Sequence, residues 1–243
     1  MEYGFFIFIT MGYKSFDSYA TEYDSWFIEN CNVLESEVKL VASCLKDAGD
    51  VLSIGCGSGL FEKILADQYG IFVSKGIEPS ISMAEIARKR GIDVIIATGE
   101  EADYGIESYD TILFNGCPCY MQDFGVALSK AYTALRHGGK VVVIDVPKES
   151  AYGLIYNLAL SLGTWEHPLL EGCTPLMPYP IELVKQANWR TTAEKIELIK
   201  QAGFNNLSFA QTLIASPHYS HEKAEEPCEG FDKGSYVAIT AYK

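Results

Sequence analysis

"VLSIGCGSGLFEKI", residues 51–64, decides how the rest of the chain is read. Four residues that suit a strand, Val51–Ile54, run into three glycines within five positions, and a helix-like apolar spacing begins at Leu60. Such a turn sets backbone N–H groups and the positive end of a helix at the strand's carboxyl edge. Gly55, Gly57 and Gly59 permit positive φ and carry no Cβ to hold a ligand off the backbone. Either the glycines serve only a tight strand-to-helix turn, or something lies against them.

Glu78 argues for the second. It ends the second strand-like segment in "GIEPS", 19 residues after Gly59. In a doubly wound sheet the tips of strands one and two are neighbours, so a carboxylate there can accept from both hydroxyls of a ribose. Hydrogen bonds to a charged group contribute about 1.5–3 kcal/mol each. The competing role is a solvated Glu at the start of the next helix. Glycine turn and acidic tip together indicate a nucleoside ligand. A dinucleotide fingerprint reads G-x-G-x-x-G. Here the third glycine comes one residue early and Leu60 stands in its place, which disfavours NAD or FAD and suits a ligand without a pyrophosphate.

Working outward, Ser15 to about Lys46 reads as helix, with Trp26, Phe27, Val33, Leu34, Val38, Val41 and Leu45 at three- and four-residue steps. Leu60–Gln68 is a second helix and residues 71–77 a strand. Ser80 caps the helix "ISMAEIARKR". Asp93–Ala97 and Thr111–Phe114 are strands, "DFGVALSKAYTALRHGG" is a helix ended by glycines, and "KVVVIDV" is a strand buried on both faces. Alternating strands and helices predict an α/β fold, a doubly wound and mostly parallel sheet with helices on both faces. Residues 147–190 break that rhythm with five prolines, Trp165 and Trp189. They read as an insertion over the sheet edge where ligands bind. "TTAEKIELIKQAGF" is a capped helix, followed by strands near 206–214 and 235–242. The predicted organisation is an N-terminal segment (1–48), a core (49–146), a lid (147–190) and a completion of the sheet (191–243).

The net charge of −13 and the lack of a basic patch argue against nucleic acid and against an anionic membrane surface. "GFFIFIT", residues 4–10, is apolar but far shorter than the ~20 residues a spanning helix needs. With no basic flank or small-residue cleavage site, it is not a signal peptide either. It is read as an upstream start or a loosely attached strand. The seven cysteines lack a framework spacing, so the thiols are expected reduced and the compartment cytoplasmic.

These motifs resemble those of the class I S-adenosylmethionine-dependent methyltransferases of the small-molecule, methyltransferase-domain type. "VLSIGCGSG" looks like their first motif and "GIEPSISM" their acidic second-strand motif. "SYDTILFN" resembles the strand beside the reacting methionyl end, and "ALSKAYTALRHGGKVVVID" their helix, glycine turn and fifth strand. "FDSYATEYDSWF" is similar to the N-terminal segment of small-molecule members, "TTAEKIELIKQAGFNNLSFAQT" to their late helix and sixth strand, and "GSYVAITAYK" to their last strand. The likeness covers about residues 13–146 and 189–243. It implies a seven-stranded, Rossmann-like sheet with the last strand antiparallel. It departs from the family at "RHGG", where Pro usually precedes the glycines, and at "NGCPCY", which is not the N-P-P-Y type of amino-methylating enzymes acting on nucleic acid or protein.

The resemblance implies that Gly55, Cys56, Gly57 and Gly59 pass under the methionyl and ribose parts and that Glu78 takes the ribose hydroxyls. Pro79 and Met83 would flank the adenine, Glu100 or Glu101 would face its amino group, Asn115 would lie beside the methionyl group, and Tyr19 and Tyr23 would close over the cofactor. S-adenosylhomocysteine would be the product. The sulfonium is already a strong electrophile. The protein must hold a nucleophile in line with the methyl carbon, a positioning that contributes roughly 7–11 kcal/mol. A base is needed only when the nucleophile arrives protonated, and no catalytic residue is recognisable. His167 and Tyr120 are the weak candidates, while His218 and His221 sit in a polar loop. Cys117 and Cys119 lack a partner pair for a metal, so none is expected. The expected reaction is methyl transfer to a small molecule. An NAD-dependent oxidoreductase and a non-catalytic S-adenosylmethionine-binding module are the alternatives. The acceptor atom and the oligomeric state are not legible.

Overall fold

The structure, a computed structural model, describes the backbone of residues 5–243 and side chains from residue 16 onward. Of "GFFIFIT", Gly4 lies outside the described residues. The rest is not a strand, because Phe5–Thr10 open the long helix α1 (Phe5–Glu29). The helix expected over 15–46 is two, α1 and α2 (Cys31–Cys44), broken at Asn30, whose side chain turns back to donate to Trp26 O at 2.9 Å.

The centre is one sheet in the order β3-β2-β1-β4-β5-β8-β6-β7. The strands β1 (Val51–Ile54), β2 (Lys75–Ile77), β3 (Asp93–Ile95), β4 (Tyr109–Asn115) and β5 (Leu135–Asp145) pair in parallel. β8 (Tyr236–Tyr242) runs antiparallel between β5 and β6 (Asn205–Thr212). The fold is thus the doubly wound, mostly parallel sheet expected, and the last strand is antiparallel. It has eight strands rather than seven because Cys228–Glu229 add a two-residue edge strand, β7, beside Ala210 and Gln211.

Period-two alternation divides the strands between two cores. Val51, Leu113, Val142 and Ile144 face one, with α2, α3 (Leu60–Ile64) and α6 (Ala151–Leu162). Leu52, Ile54, Ile112, Phe114, Val141 and Val143 face the other, with α5 (Phe124–Ala134) and α8 (Thr192–Gln201). A smaller cluster (Cys56, Ala84, Ala87, Ile92, Val94) seats α4 (Ile81–Lys89) against the glycine turn. Caps fix the helix starts: Ser80 for α4, Asp123 for α5, Ser150 for α6, and a capping box of Thr191 with Glu194 for α8.

The helix expected to run through "RHGG" stops at Ala134. Leu135 is fully buried and already pairs with Tyr109, and the register then jumps to Thr111–Lys140, leaving residues 136–139 as a bulge. Arg136 anchors that bulge through Asp110, Asp50 and Ser108 O. Residues 147–190 carry α6 and the short α7 (Ile181–Val184).

Candidate functional site

The glycine turn joins β1 to α3 at the carboxyl end of the sheet. All three glycines have positive φ, but for different neighbours. A Cβ at Gly55 would fall 2.6 Å from the Cβ of Cys117, and one at Gly59 would fall 2.5 Å from Ile92 Cδ1. At those two positions the missing side chain makes room for a neighbour. A Cβ at Gly57 would meet nothing within 4 Å, so this is the stretch of turn with open space beside it.

Glu78 reaches that stretch. Its Oε2 accepts from Gly57 N at 2.9 Å and its Oε1 from Ser80 N at 2.8 Å, so one carboxylate ties the tips of β1 and β2. Burial pushes its carboxyl up to about 7, although the two N–H donors pull the other way.

Above the turn lies α1. Asp17 Oδ1 accepts from Ser80 Oγ at 2.6 Å and from Ser82 N at 3.1 Å. Seven residues on, Asp24 accepts from Ser58 Oγ at 2.5 Å and from Arg90 Nη2 at 2.6 Å, and Arg90 Nη1 donates to Ser58 O. Two helical turns separate the aspartates, so one face of α1 straps the glycine turn to α4. Neither Asp17, Asp24, Ser58 nor Arg90 is a site residue on sequence grounds, although a seven-residue Asp spacing in "FDSYATEYD" is the visible signal.

Beneath the strap are two chambers of about 80 and 90 Å3. The first is bounded by Phe16, Glu78, Pro79, Met83, Thr98 and Glu100. The second is bounded by Trp26, Glu37, Glu62, Asp145, Tyr156 and Trp189 among others. Tyr23, Gly55, Gly57, Asn115, Gly116 and Tyr120 line both and form the waist between them.

The structure therefore brings Tyr23, Gly55, Gly57, Glu78, Pro79, Met83, Glu100 and Asn115 to the first chamber and Cys56 to the second. Three of the expected cofactor-binding residues line neither. Gly59 packs on Ala87 and Ile92, Tyr19 leans on the core, and Glu101 accepts from Thr98 Oγ1 at the rim of an outer groove. Of the neighbouring pair, Glu100 faces the chamber, held by Gln122 N at 2.9 Å. His167 also lines neither: its Nδ1 accepts from Leu169 N within the 147–190 segment. Tyr120 stands at the waist, edge-on to Phe16 at 4.9 Å and hydrogen-bonded to Tyr179. The two central thiols turn to backbone, Cys117 to Ile54 O at 3.0 Å and Cys119 to Gly116 O at 3.7 Å, and burial raises both.

The second chamber is walled by aromatic rings from several elements. Tyr156 stacks on Trp189 with centroids 5.2 Å apart, and Trp26 meets Tyr179 edge-on at 5.1 Å. Trp26 Nε1 lies 3.2 Å from both Met177 O and Pro178 O, which ties α1 to the 147–190 segment. Tyr236 OH donates to Asn115 Oδ1 at 2.9 Å. Asp145, at the tip of β5, lies 3.6 Å from Lys195 of α8, both almost wholly buried. Glu37 was missed in the sequence. It sits between Val33 and Val41 at four-residue steps, on the core face of α2, and an acid in an apolar stripe was the signal.

Comparisons with known proteins point to methyltransferases. A family model for a methyltransferase domain matches residues 28–208. An uncharacterized protein of Methanocaldococcus jannaschii is 31% identical over 228 residues, covering 94% of this chain and 98% of that one. The crystal structure of an S-adenosylmethionine-dependent methyltransferase of Thermotoga maritima, described as a possible histamine N-methyltransferase, superposes with a TM-score of 0.80 at 30% identity, covering 96% of this chain and 99% of that chain. A putative methyltransferase of Haloferax volcanii, solved with the Trm112 activator, shares the fold at a TM-score of 0.62 and 14% identity, over 93% and 96% of the two chains.

Proposed function

On the premise that this chain belongs to the methyltransferase-domain family, as an S-adenosylmethionine-dependent methyltransferase, we propose that it methylates a small molecule held in the aromatic chamber. The waist carries the reading. One chamber offers what an adenosine needs: the open glycine at Gly57, a buried carboxylate at Glu78, and Pro79 and Met83 beside it. The other offers a space walled by aromatic rings and three carboxyls, and the two meet at Asn115, Gly116 and Tyr120.

The residues present fit S-adenosylmethionine. A carboxylate accepts about four hydrogen bonds, and Glu78 spends two on backbone, leaving two for a ribose diol. Glu100 faces the adenine side and Asn115 the methionyl side. Bound there, the cofactor supplies an electrophilic methyl group. The chain's own task is to hold the acceptor on the far side of the waist and to exclude water. Cavities of about 80 and 90 Å3 are well below the ~300–1,000 Å3 of ligand-sized pockets. Binding therefore displaces part of the cover. Phe16 and Tyr23 are the side chains that α1 contributes to the first chamber, so the strap is the element that moves, and residues 147–190 act as the lid of the second chamber.

Isothermal titration with S-adenosylmethionine and S-adenosylhomocysteine, with NADH as the comparison, tests the cofactor half. Heat with the first two and none with NADH is expected, and the reverse would make the protein an oxidoreductase. Transfer of labelled methyl groups into a small-molecule extract tests the acceptor half. Binding without any labelled product would overturn the catalytic reading and leave a binding module.

A further inference from the structure

Glu37 stands out among the groups the cofactor does not use. It is 8% exposed, on α2, with no hydrogen bond or ion pair to any described residue, and it lines the second chamber. The other two carboxyls there have partners: Glu62 accepts from Ser53 Oγ at 2.7 Å, and Asp145 accepts from Val146 N at 2.9 Å and faces Lys195 at 3.6 Å, although its Oδ2 makes no hydrogen bond. Nine of the twenty lining residues are aromatic, and none is Lys, Arg or His. Trp189 Nε1 is also buried without a partner.

An ionised carboxylate buried with no partner is costly, so burial holds Glu37 as the acid until a cation arrives to meet its charge. Rings attract cations over their faces and repel anions. The two features select the same ligand chemistry: the ring faces and Glu37 disfavour an anion, and a neutral acceptor would leave the ionised carboxylate without a counter-charge. Resting on the methyltransferase reading above, we propose that the second chamber is a recognition site for an organic ammonium, with Glu37 as its counter-ion and the surrounding Trp and Tyr rings as its walls.

Glu37 also answers the question of the base. An ammonium nitrogen has no lone pair until it loses a proton. The proton passes from nitrogen to the Glu37 carboxylate, leaving a neutral amine and a carboxylic acid, and it leaves to solvent when the site reopens. Burial sets the Glu37 carboxyl at about 8, within reach of an amine's proton. The ionisable groups around it are Tyr23 of α1, Tyr152 and Tyr156 of α6, Tyr179 ahead of α7 and Tyr236 of β8, all raised by burial. Glu62 and Asp145 share the chamber. None of these supplies a positive charge.

The test is calorimetric, on the full chain with and without saturating S-adenosylhomocysteine, using benzylamine, benzyl alcohol and benzoate as ligands of one shape and three charges. Benzylamine should bind about ten- to hundredfold more tightly than the other two. Glu37→Gln, near-isosteric, should bring that preference below twofold while S-adenosylhomocysteine affinity stays within twofold. A second readout needs no variant. Tetramethylammonium cannot titrate, so its affinity for the wild-type chain should fall tens-fold from pH 8 to pH 6 as Glu37 takes up its proton. Equal binding of the alcohol, a preference for benzoate, an amine preference surviving in Glu37→Gln, or a flat tetramethylammonium profile would each overturn the cation site. If S-adenosylhomocysteine fails to bind while the amine binds through Glu37, the methyltransferase reading falls and the cation site stands.

Discussion

Replacing Glu78 with Gln tests the cradle at its centre. The two sides of the carboxylate accept from Gly57 N and Ser80 N at 2.9 and 2.8 Å. The amide that replaces it has one acceptor oxygen and one NH2, so one backbone donor is left facing another donor. The ribose also loses a charged acceptor on which each hydrogen bond is worth about 1.5–3 kcal/mol. Two such bonds correspond to roughly 100- to 10,000-fold in affinity. The surviving oxygen retains part of this, so we expect the dissociation constant for S-adenosylhomocysteine to rise about 100-fold. A second signature comes from pH. Burial places the Glu78 carboxyl at about 7, and hydroxyl donors require the ionised form. Wild-type affinity should therefore fall as pH drops below 7, approaching tenfold per pH unit, while the Gln variant stays flat. Titration calorimetry from pH 5.5 to 8.5 reads both. Affinity unchanged within twofold in Glu78→Gln, or wild-type affinity that improves toward low pH, would refute the cradle.

Gly57→Ala should weaken S-adenosylhomocysteine binding severalfold at a folding cost of about 1–2 kcal/mol for its positive φ; Gly55→Ala should lower the melting temperature more, because its Cβ strikes Cys117. Asp24→Asn should cost about 1–3 kcal/mol, read as a drop of a few degrees in thermal unfolding, and speed hydrogen exchange over α1, since Arg90 and Ser58 lose their shared anchor. Lys195→Met leaves Asp145 buried without its cation and should cost about 3–5 kcal/mol in urea unfolding, with Lys195→Met/Asp145→Asn recovering much of it; a harmless single variant would deny the pair a structural role. Stability should fall as pH rises from about 4.5 to 8. Glu37 and Glu78 hold protons in the fold that the unfolded chain releases, so their contribution is complete below 4.5 and gone above about 8. For Glu37 the gap from 4.5 to about 8 corresponds to roughly 4–5 kcal/mol at most, and Glu37→Gln should flatten that part of the denaturation profile.

The strand-to-helix rhythm was legible because each strand of the parallel core is a short apolar run bounded by a turn, and the glycine turn with Glu78 marked one sheet edge. The ends of elements were not legible where tertiary pairing overrode local preference. Nothing in "TALRHGGK" announces that Leu135 leaves the helix early to pair with Tyr109, since the cause is Asp110 and Asp50 gripping Arg136 from distant positions. The edge strand β7 is only two residues long, too short for periodicity to show. In the site, residues on the first two strand tips could be read from spacing. Thr98 and Met121 could not, because loops bring them to the chamber. Gly59 makes room for Ile92 and lines neither chamber, while Gly55 both makes room for Cys117 and lines the two chambers, a distinction that sequence does not carry.

Glu37 shows how a break in pattern can outweigh a match to one. The α2 stripe of Val33, Glu37 and Val41 puts an acid where packing alone asks for a hydrocarbon, and the structure gives it no partner. The arrangement spends stability above the carboxyl's pKa and returns nothing to the fold. The Asp145–Lys195 pair nearby differs: its desolvation is offset, at least in part, by the opposing charge. Burial of one carboxyl without a partner on the proposed acceptor side, with a second at Glu78 held by backbone donors on the proposed cofactor side, gives the two chambers opposite requirements. Glu78 is already fixed before a ligand arrives, whereas Glu37 waits for one to supply its counter-charge. Leu or Gln at position 37 would remove that cost, and the acid there fits the ammonium proposed for the chamber.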